Sequence, residues 1–330
     1  MKIIQFKAPG GPEVLDLIEV PTPEPKEGEV LVRAAAIGVG MPDVMIRRGT
    51  YNWMPPLPAT PGTEMSGVIA KIGPGVTRLR VGQRVVVSAR DRSQRGGCYA
   101  EYNATPESSA YALPDGANME EAAALANYQV AYHLLYDCIA MKPGQSVLIQ
   151  GAAGGTGSAL VDLARHAGLS VIGTCAGAEK VAFVKSLGVE HVIDRKGADI
   201  GASVMAATEG KGVDYIMDFA GGPDFVKNFA MLAPYGTLVS YGQLAGKPKD
   251  DVYAALRAQS AKNLALRVFS MHVYDHWRAP LQAGMRWLIE RLGRSEIKPR
   301  IYDRLPLAEA RRAHELFESG KVMGKLLLKP

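Results

Sequence analysis

The chain has 330 residues, of which 47% are hydrophobic and 22% charged, a composition typical of a soluble globular protein with room for two domains. Its net charge of +5 comes from 38 basic and 33 acidic residues spread along the sequence, which argues against a nucleic-acid-binding surface, where basic residues cluster. The three cysteines lie far apart, which disfavours a disulfide framework, and no apolar run reaches the roughly 20 residues of a membrane span, so we expect a cytoplasmic protein.

The first part of the chain has the short apolar runs and frequent turns of a β domain. Residues 30–32, 67–70 and 84–87 are such runs, and glycine and proline separate them. A helix is expected to begin near Asn118, because acidic residues in its first turn favour a helix start, and to continue to Leu135.

From Ser146 the pattern changes to strands that alternate with helices. This alternation predicts an α/β fold with a doubly wound parallel sheet covered by helices on both faces. The predicted strands are 147–150, 171–174, 191–193, 215–218, 237–241, 264–269 and 325–329. The predicted helices are 178–187, 224–232, 279–292 and 308–318.

The most informative segment is 146–164, SVLIQGAAGGTGSALVDLA, in which a strand, a glycine cluster and a helix follow one another. Glycines at such a turn let the backbone approach a pyrophosphate, and the first N–H groups of the helix hold the anion. The segment therefore predicts a nucleotide site, with a glycine turn at a close strand–helix contact as the alternative. The residues assigned to this site are Gly151, Ala153, Gly154, Gly155, Thr156 and Gly157.

The end of the next strand indicates which nucleotide binds. Sites that prefer NAD place an acid about 20 residues after the glycine loop, where it binds the ribose 2′-hydroxyl. Here the strand ends at Thr174, and small neutral residues follow as far as Gly177. Lys180 and Arg195 come shortly afterwards and would neutralise a 2′-phosphate. The sequence therefore predicts NADPH, and solvated surface charges are the alternative interpretation of these two residues.

Short motifs occur through almost the whole chain. They are RGTY at 48–51, PGTEMSG at 61–67, VGQRV at 81–85, GCYAEY at 97–102, GAAGGTG at 151–157 and SGK at 319–321. In order and spacing they resemble the medium-chain dehydrogenase/reductase superfamily, and within it the zinc-free quinone oxidoreductase branch to which zeta-crystallin belongs. The resemblance implies a GroES-like catalytic domain over 1–122 and 292–330, and a Rossmann NADPH-binding domain over 123–291. It also implies a homodimer in which the edge strand 264–269 pairs with its copy.

The resemblance also bears on metal binding. Zinc-dependent relatives carry a cysteine and a histidine at the positions of Gly40 and Thr63, and neither residue present here can bind zinc. We therefore expect no metal, and the negative charge that develops on a substrate oxygen then needs a hydrogen-bond or proton donor. Tyr51, which lines the substrate cleft in quinone reductases, is the first candidate. Packing of this tyrosine at a domain edge is the alternative.

The same resemblance implies the remaining site residues. The substrate cleft is expected to include Gly40, Asp43, Met45 and Tyr128. Further cofactor contacts are expected from Asn127, Phe219, Ala220, Tyr241, Gly242, Phe269, Met271 and Lys325. Relatives usually carry an asparagine at position 40 and a bulkier aromatic residue at position 45, so the pocket of this chain is expected to be wider.

These features together predict an NADPH-dependent oxidoreductase that transfers a hydride, without zinc, to a quinone or an α,β-unsaturated carbonyl. A 2-enoyl thioester reductase is the alternative among enzymes, because 241–244 and 261–267 resemble those enzymes. An NADPH-binding structural or RNA-binding protein of the zeta-crystallin type is the alternative from another class. RNA binding is disfavoured because the one basic run, RDRSQR at 90–95, is short and is expected to be a solvated loop.

Overall fold

The computed structural model of the protein describes residues 1–92 and 95–330. It has two compact units: Met1–Asn127 with Trp277–Pro330, and Tyr128–His276. The strands are β1 (Lys2–Gln5), β2 (Asp16–Glu19), β3 (Glu29–Val39), β4 (Glu64–Ile72), β5 (Arg84–Ser88), β6 (Tyr102–Pro106), β7 (Ala110–Ala112), β8 (Ser146–Ile149), β9 (Ser170–Cys175), β10 (His191–Asp194), β11 (Val213–Asp218), β12 (Leu232–Ser240), β13 (Ala265–Val268), β14 (Ile301–Pro306) and β15 (Lys325–Lys329). The α-helices are α1 (Met41–Arg48), α2 (Met119–Ala122), α3 (Leu125–Tyr132), α4 (Gly155–His166), α5 (Ala178–Ser186), α6 (Ile200–Ala207), α7 (Val252–Ala258), α8 (Arg278–Gly293) and α9 (Ala310–Glu318). Within the described ranges, no helix is both long and apolar enough to cross a membrane.

The first unit is built on a seven-stranded sheet with the order β14-β15-β3-β4-β5-β7, in which β6 also pairs with β3. Its core is formed by alternate apolar residues of these strands, for example Val30 and Val32 of β3 and Val85 and Val87 of β5. The C-terminal strand β15 pairs antiparallel with β3, with Leu326 opposite Val39. This register places the start of β15 beside the end of β3, where the catalytic residues are expected.

The second unit contains the predicted parallel sheet, which is confirmed. Its strand order is β10-β9-β8-β11-β12-β13, and every neighbouring pair is parallel. The order reverses between β8 and β11, and ligands of such sheets bind at the carboxyl ends of the strands at this reversal. The strand β13 lies at one edge of the sheet, as the predicted pairing of a homodimer requires, but the homodimer itself stays a prediction.

The helix predicted from Asn118 to Leu135 is interrupted. It begins as expected, because the Asn118 side chain accepts hydrogen bonds from the N–H groups of Glu120 and Glu121. It then breaks between α2 and α3, and the N–H of Ala126, in the first turn of α3, donates to Glu64 Oε2 at 2.8 Å. After α3 the chain continues as a π-helix over His133–Cys138. The start of α3 is thus capped by a side chain that is distant in sequence.

Four further elements differ from the prediction. The helices α6 and α7 were not predicted, although each begins at an aspartate N-cap, Asp199 and Asp251. The helix predicted over 224–232 is a 3₁₀ segment, Phe225–Met231. The helix α8 packs in the first unit, where Gly293 meets Pro114. The two compact units thus divide at 127/128 and 276/277. The predicted domain boundaries lie at 122/123 and 291/292 and stay predictions.

Candidate functional site

The glycine loop after β8 holds two glycines that the fold itself requires. A side chain at Gly151, which has a φ of 65°, would collide with the ring of Phe219. A side chain at Gly157 would collide with the carbonyl oxygen of Gly151, so this glycine allows α4 to approach the loop closely. Contacts inside the protein therefore require glycine at both positions, and these contacts fix the shape of the turn.

Gly154 differs from these two glycines because the protein itself has room for a side chain there. Its backbone angles, φ −73° and ψ 173°, suit any residue, and the nearest atom to an added Cβ would be the Gly151 oxygen at 3.5 Å. Gly154 is the N-cap of α4, and it provides no side chain to cap the first N–H groups of the helix. The open space in front of these donors fits a phosphate group.

The end of β9 is the second part of the predicted cofactor site. Thr174 is buried, and its carbonyl accepts a hydrogen bond from the N–H of Ala152 at 2.9 Å, which joins the glycine loop to this strand end. Gly177 follows in the left-handed region, with a φ of 94° and nothing within 4 Å of an added Cβ. The structure therefore brings the predicted pyrophosphate and 2′-phosphate positions together on neighbouring strand ends.

One carboxylate that the sequence analysis did not consider lies at this place. Asp194, at the end of β10, accepts hydrogen bonds from the N–H groups of Gly177 and Lys196, each at 2.9 Å. These bonds hold the pKa of Asp194 below its usual range. A signal was present in the sequence, since an acid at the end of the third strand is adjacent to the second strand in this fold.

Charges of both signs act on the Cys175 thiol at the end of β9. Burial raises the pKa of Cys175, and Asp194 raises it further, whereas the Lys180 and Arg195 cations lower it. Lys180 and Arg195 therefore act on this strand end, as a 2′-phosphate site there requires.

The turn after β11 is fixed by a buried aspartate. Asp218 Oδ1 accepts from the N–H groups of Ala220 and Gly221 at 2.7 and 2.8 Å, and its Oδ2 accepts from Asn228 Nδ2 at 2.9 Å. Burial raises the pKa of Asp218, although these three hydrogen bonds oppose the rise. Asp218 thereby shapes the backbone of Phe219 and Ala220, and the sequence analysis missed it.

The remaining predicted cofactor residues of the second unit gather at the same edge of the sheet. Gly242 follows β12, and a side chain there would collide with the carbonyl oxygen of Phe219. The rings of Tyr241 and Phe219 lie 6.5 Å apart, and burial raises the pKa of Tyr241. Phe269 and the buried Met271 follow β13, with the Phe269 N–H donating to the Ser240 carbonyl at 2.9 Å.

The first unit contains a buried cluster of three charged side chains at the ends of β3, β4 and β15. Lys325, which is 3% exposed, forms an ion pair with Glu64 Oε1. The Lys325 ammonium lies 3.7 Å from where a Cβ of Gly40 would stand, and its charge also acts on Asp43. A cation therefore lies beside position 40. The predicted contact of Lys325 with the cofactor stays a prediction.

Asp43 is completely buried, with an exposure of 0%. Its carboxylate accepts hydrogen bonds from the N–H groups of Gly40 at 2.9 Å and Gly62 at 3.2 Å. These bonds hold the backbone at the end of β3 and before β4, and the predicted place of Asp43 in the substrate cleft stays a prediction. Burial raises the pKa of Asp43 to about 7, and the Lys325 charge opposes this rise.

The raised pKa of Asp43 predicts a pH dependence of stability. Between about pH 4 and pH 7 the folded protein keeps a proton that the unfolded chain has released, so the free energy of unfolding falls as the pH rises, by at most about 1.4 kcal/mol per pH unit. We expect Asp43→Asn, which cannot titrate, to lack this part of the slope. Urea unfolding of both proteins from pH 5 to pH 8 measures it. Parallel slopes would contradict the raised pKa.

Tyr51 lies in the first unit and is 8% exposed. Its hydroxyl accepts a hydrogen bond from Arg95 Nη1 at 3.3 Å. The expectation that residues 90–95 form a solvated loop is therefore wrong for Arg95, which is 2% exposed, and for Asp91, whose side chain is also buried. Ser93 and Gln94 of this run lie outside the described residues.

The other predicted cleft residues have different surroundings. Met45 of α1 is partly buried and packs against the core of the first unit. Tyr128 is 4% exposed, and its hydroxyl donates to Asp162 Oδ2 of α4 at 2.7 Å. The N–H of Asn127 donates to the carbonyl of Ala124, which precedes α3. The roles predicted for these residues toward substrate and cofactor stay predictions.

Comparison with known proteins identifies the family. The model of the zinc-binding dehydrogenase family matches residues 155–287, and that of the alcohol dehydrogenase GroES-like domain matches residues 26–115. A quinone oxidoreductase of Salmonella typhimurium is 34% identical over 99% of both chains. This chain belongs to the quinone oxidoreductase branch of the medium-chain dehydrogenase/reductase superfamily. The predicted GroES-like and Rossmann architecture is thereby confirmed.

Two further similarities extend across this family. The structure of Escherichia coli quinone oxidoreductase complexed with NADPH is similar over 100% of both chains, with a TM-score of 0.88 and 31% identity. The synaptic vesicle membrane protein VAT-1 homolog of Rattus norvegicus is 35% identical over 93% of this chain and 78% of its own length. Within the described residues of this family member, no group of three or more histidine, cysteine, aspartate or glutamate side chains is arranged to hold a metal ion.

Proposed function

We propose that this chain is an NADPH-dependent reductase whose substrate is a quinone or an α,β-unsaturated carbonyl compound. The observation that carries the proposal is the space in front of the uncapped N-terminus of α4, next to the end of β9, on which the Lys180 and Arg195 cations act. The similarity to a quinone oxidoreductase complexed with NADPH supports the same cofactor. When bound, NADPH supplies a hydride to the electrophilic substrate.

In this proposal, different residues of the second unit bind different parts of the cofactor. The N–H groups of Gly155 and Thr156 at the start of α4 hold the pyrophosphate, because they have no acceptor inside the helix. Lys180 and Arg195 hold the 2′-phosphate by charge-assisted hydrogen bonds. The backbone of Ala220 and its neighbours, fixed by Asp218, lines the rest of the site.

The residues of the first unit serve the substrate in this proposal. Tyr51 donates a hydrogen bond or a proton to the substrate oxygen that becomes negative. The reaction proceeds without zinc, because Gly40 and Thr63 offer no suitable ligand where zinc-dependent relatives carry a cysteine and a histidine. The Lys325 ammonium lies beside Gly40 and is paired with Glu64. A homodimer paired through β13 and a cytoplasmic location complete the proposal.

Cofactor selectivity gives a direct test of the role of Lys180 and Arg195. We expect Lys180→Ala/Arg195→Ala to lower the preference for NADPH over NADH by about tenfold or more, since each charge-assisted bond to phosphate contributes about 1.5–3 kcal/mol before solvent screening. Dissociation constants of both nucleotides, measured by fluorescence titration, give this ratio. Lys185→Ala, at the other end of α5, is the matched control. An unchanged ratio in the double variant would place the 2′-phosphate elsewhere.

A substrate panel tests the reaction itself. The purified protein is assayed for NADPH oxidation with quinones, with simple enones and with 2-enoyl-CoA thioesters of several chain lengths. We expect the highest kcat/KM with a quinone or an enone. A clear preference for the enoyl-CoA thioesters would instead identify a 2-enoyl thioester reductase.

A further inference from the structure

Arg95 is buried against the phenol of the proposed proton donor. Its Nη1 donates to Tyr51 Oη at 3.3 Å, and its guanidinium carbon lies 4.9 Å from the ring centroid of Trp53. The Trp53 ring is in turn 5.9 Å from the Tyr51 ring. A guanidinium can only donate hydrogen bonds, so the tyrosine oxygen is the acceptor and the tyrosine proton is not used in this bond.

The backbone holds both partners of this hydrogen bond in place. Tyr51 follows α1, which ends at Gly49 in the left-handed region with a φ of 71°. Arg95 precedes Gly97, whose N–H donates to the carbonyl of Thr60 at 2.7 Å. The pair is thus arranged before any substrate binds, as a preorganised donor requires.

Arg95 is one of several charged groups around the buried carboxylate of Asp91. Burial raises the pKa of Asp91, a hydrogen bond from Tyr111 lowers it, and the cations Arg278, Arg90 and Arg95 lower it further. The guanidinium of Arg95 also donates to Tyr51, so it can stabilise a negative charge that develops on the tyrosine oxygen.

We propose that Arg95 is a positioning residue that prepares Tyr51 for proton donation; this inference rests on the proposed reductase function. In the step, the Tyr51 O–H bond breaks and its proton forms a new bond with the substrate oxygen, while the substrate gains the hydride. The phenolate left on Tyr51 is stabilised by the Arg95 hydrogen bond. A water molecule then returns a proton to Tyr51, so the net reaction consumes NADPH and one proton from solvent.

A double-mutant cycle tests this role. We expect Arg95→Met to lower kcat by about 10- to 100-fold, in the range of a perturbed general acid, with no change in the dissociation constant of NADPH. We expect Tyr51→Phe to lower kcat at least as much. In the Tyr51→Phe background, Arg95→Met should have almost no further effect, because the hydroxyl on which it acts is gone. The solvent deuterium isotope effect on kcat should rise in Arg95→Met and not in the double variant.

Two controls separate this role from a structural one. Arg92→Met removes a neighbouring guanidinium that donates to the Gly96 carbonyl, and it should leave the isotope effect unchanged. Arg95→Lys keeps the positive charge, and it replaces Arg95→Met in the cycle if Arg95→Met does not fold. Equal losses of kcat from Arg95→Met in both Tyr51 backgrounds, or an unaltered kcat in Tyr51→Phe, would overturn the inference. A wild-type protein without any turnover would instead reject the proposed function.

Discussion

Replacing Gly154 by aspartate is expected to weaken NADPH binding strongly and leave the fold intact. The backbone at Gly154 is extended, and an added Cβ meets nothing closer than 3.5 Å, so the aspartate fits. Its carboxylate would cap the first N–H groups of α4, which stabilises the helix relative to a glycine cap by only a few tenths of a kcal/mol. The same carboxylate would occupy the donors that the pyrophosphate needs and would repel it. Loss of two charged hydrogen bonds, about 3 kcal/mol, weakens binding about 100-fold or more.

Isothermal titration with NADPH and thermal unfolding without it measure the two effects separately. The matched control is Gly154→Ala, which adds a methyl group but no charge, and we expect it to weaken binding less than about tenfold. Wild-type affinity in Gly154→Asp would show that the N-terminus of α4 does not hold the pyrophosphate. A loss of folding in Gly154→Asp would contradict the open space described at this position.

The second large effect is expected at Lys325. Lys325→Met removes one partner of a buried ion pair and leaves the Glu64 carboxylate without its cation at 2% exposure. Breaking such a pair costs about 3–5 kcal/mol of unfolding free energy, because an uncompensated charge stays buried. In Glu64→Gln/Lys325→Met neither charge is present, and the glutamine oxygen can still accept from the Ala126 N–H. We therefore expect the double variant to recover most of the loss.

Urea unfolding of the two single variants and the double variant measures this coupling. Lys329→Met, on the same strand β15, is the matched control, since Lys329 is partly exposed and pairs with Glu120. We expect it to cost less than about 1 kcal/mol, as for other exposed pairs. Additive losses in the cycle, or a Lys325→Met effect no larger than that of Lys329→Met, would show that the pair is not an important source of stability.

Local patterns in the sequence were sufficient for much of the fold. The strand–glycine–helix order at 146–164 predicted the loop and α4, because a phosphate-binding turn needs a particular backbone over consecutive residues. Apolar periodicity likewise predicted the parallel sheet and the α8 helix. The start of α3 could not be predicted in this way, because its cap is Glu64, which is 62 residues from Ala126.

Two of the site residues that were missed have partners that are distant in sequence, unlike Asp218, whose partners follow it closely. Asp194 binds the N–H of Gly177, 17 residues earlier, and Arg95 binds Tyr51, 44 residues earlier. Composition alone placed Arg95 in a solvated basic loop, because a run of arginines is usually exposed. Its burial depends on the aromatic face of Trp53 and on the nearby Asp91, and these contacts form only when the chain folds.

The central claim is that the protein is an enzyme that uses NADPH and not a protein that only binds it. Steady-state oxidation of NADPH by the purified protein, followed at increasing quinone concentration, tests this claim most directly. We expect NADPH oxidation that depends on the quinone and saturates with both quinone and NADPH. We expect Gly154→Asp to abolish this oxidation. NADPH binding without turnover on any quinone or enone would contradict it and would favour a structural role for the bound nucleotide.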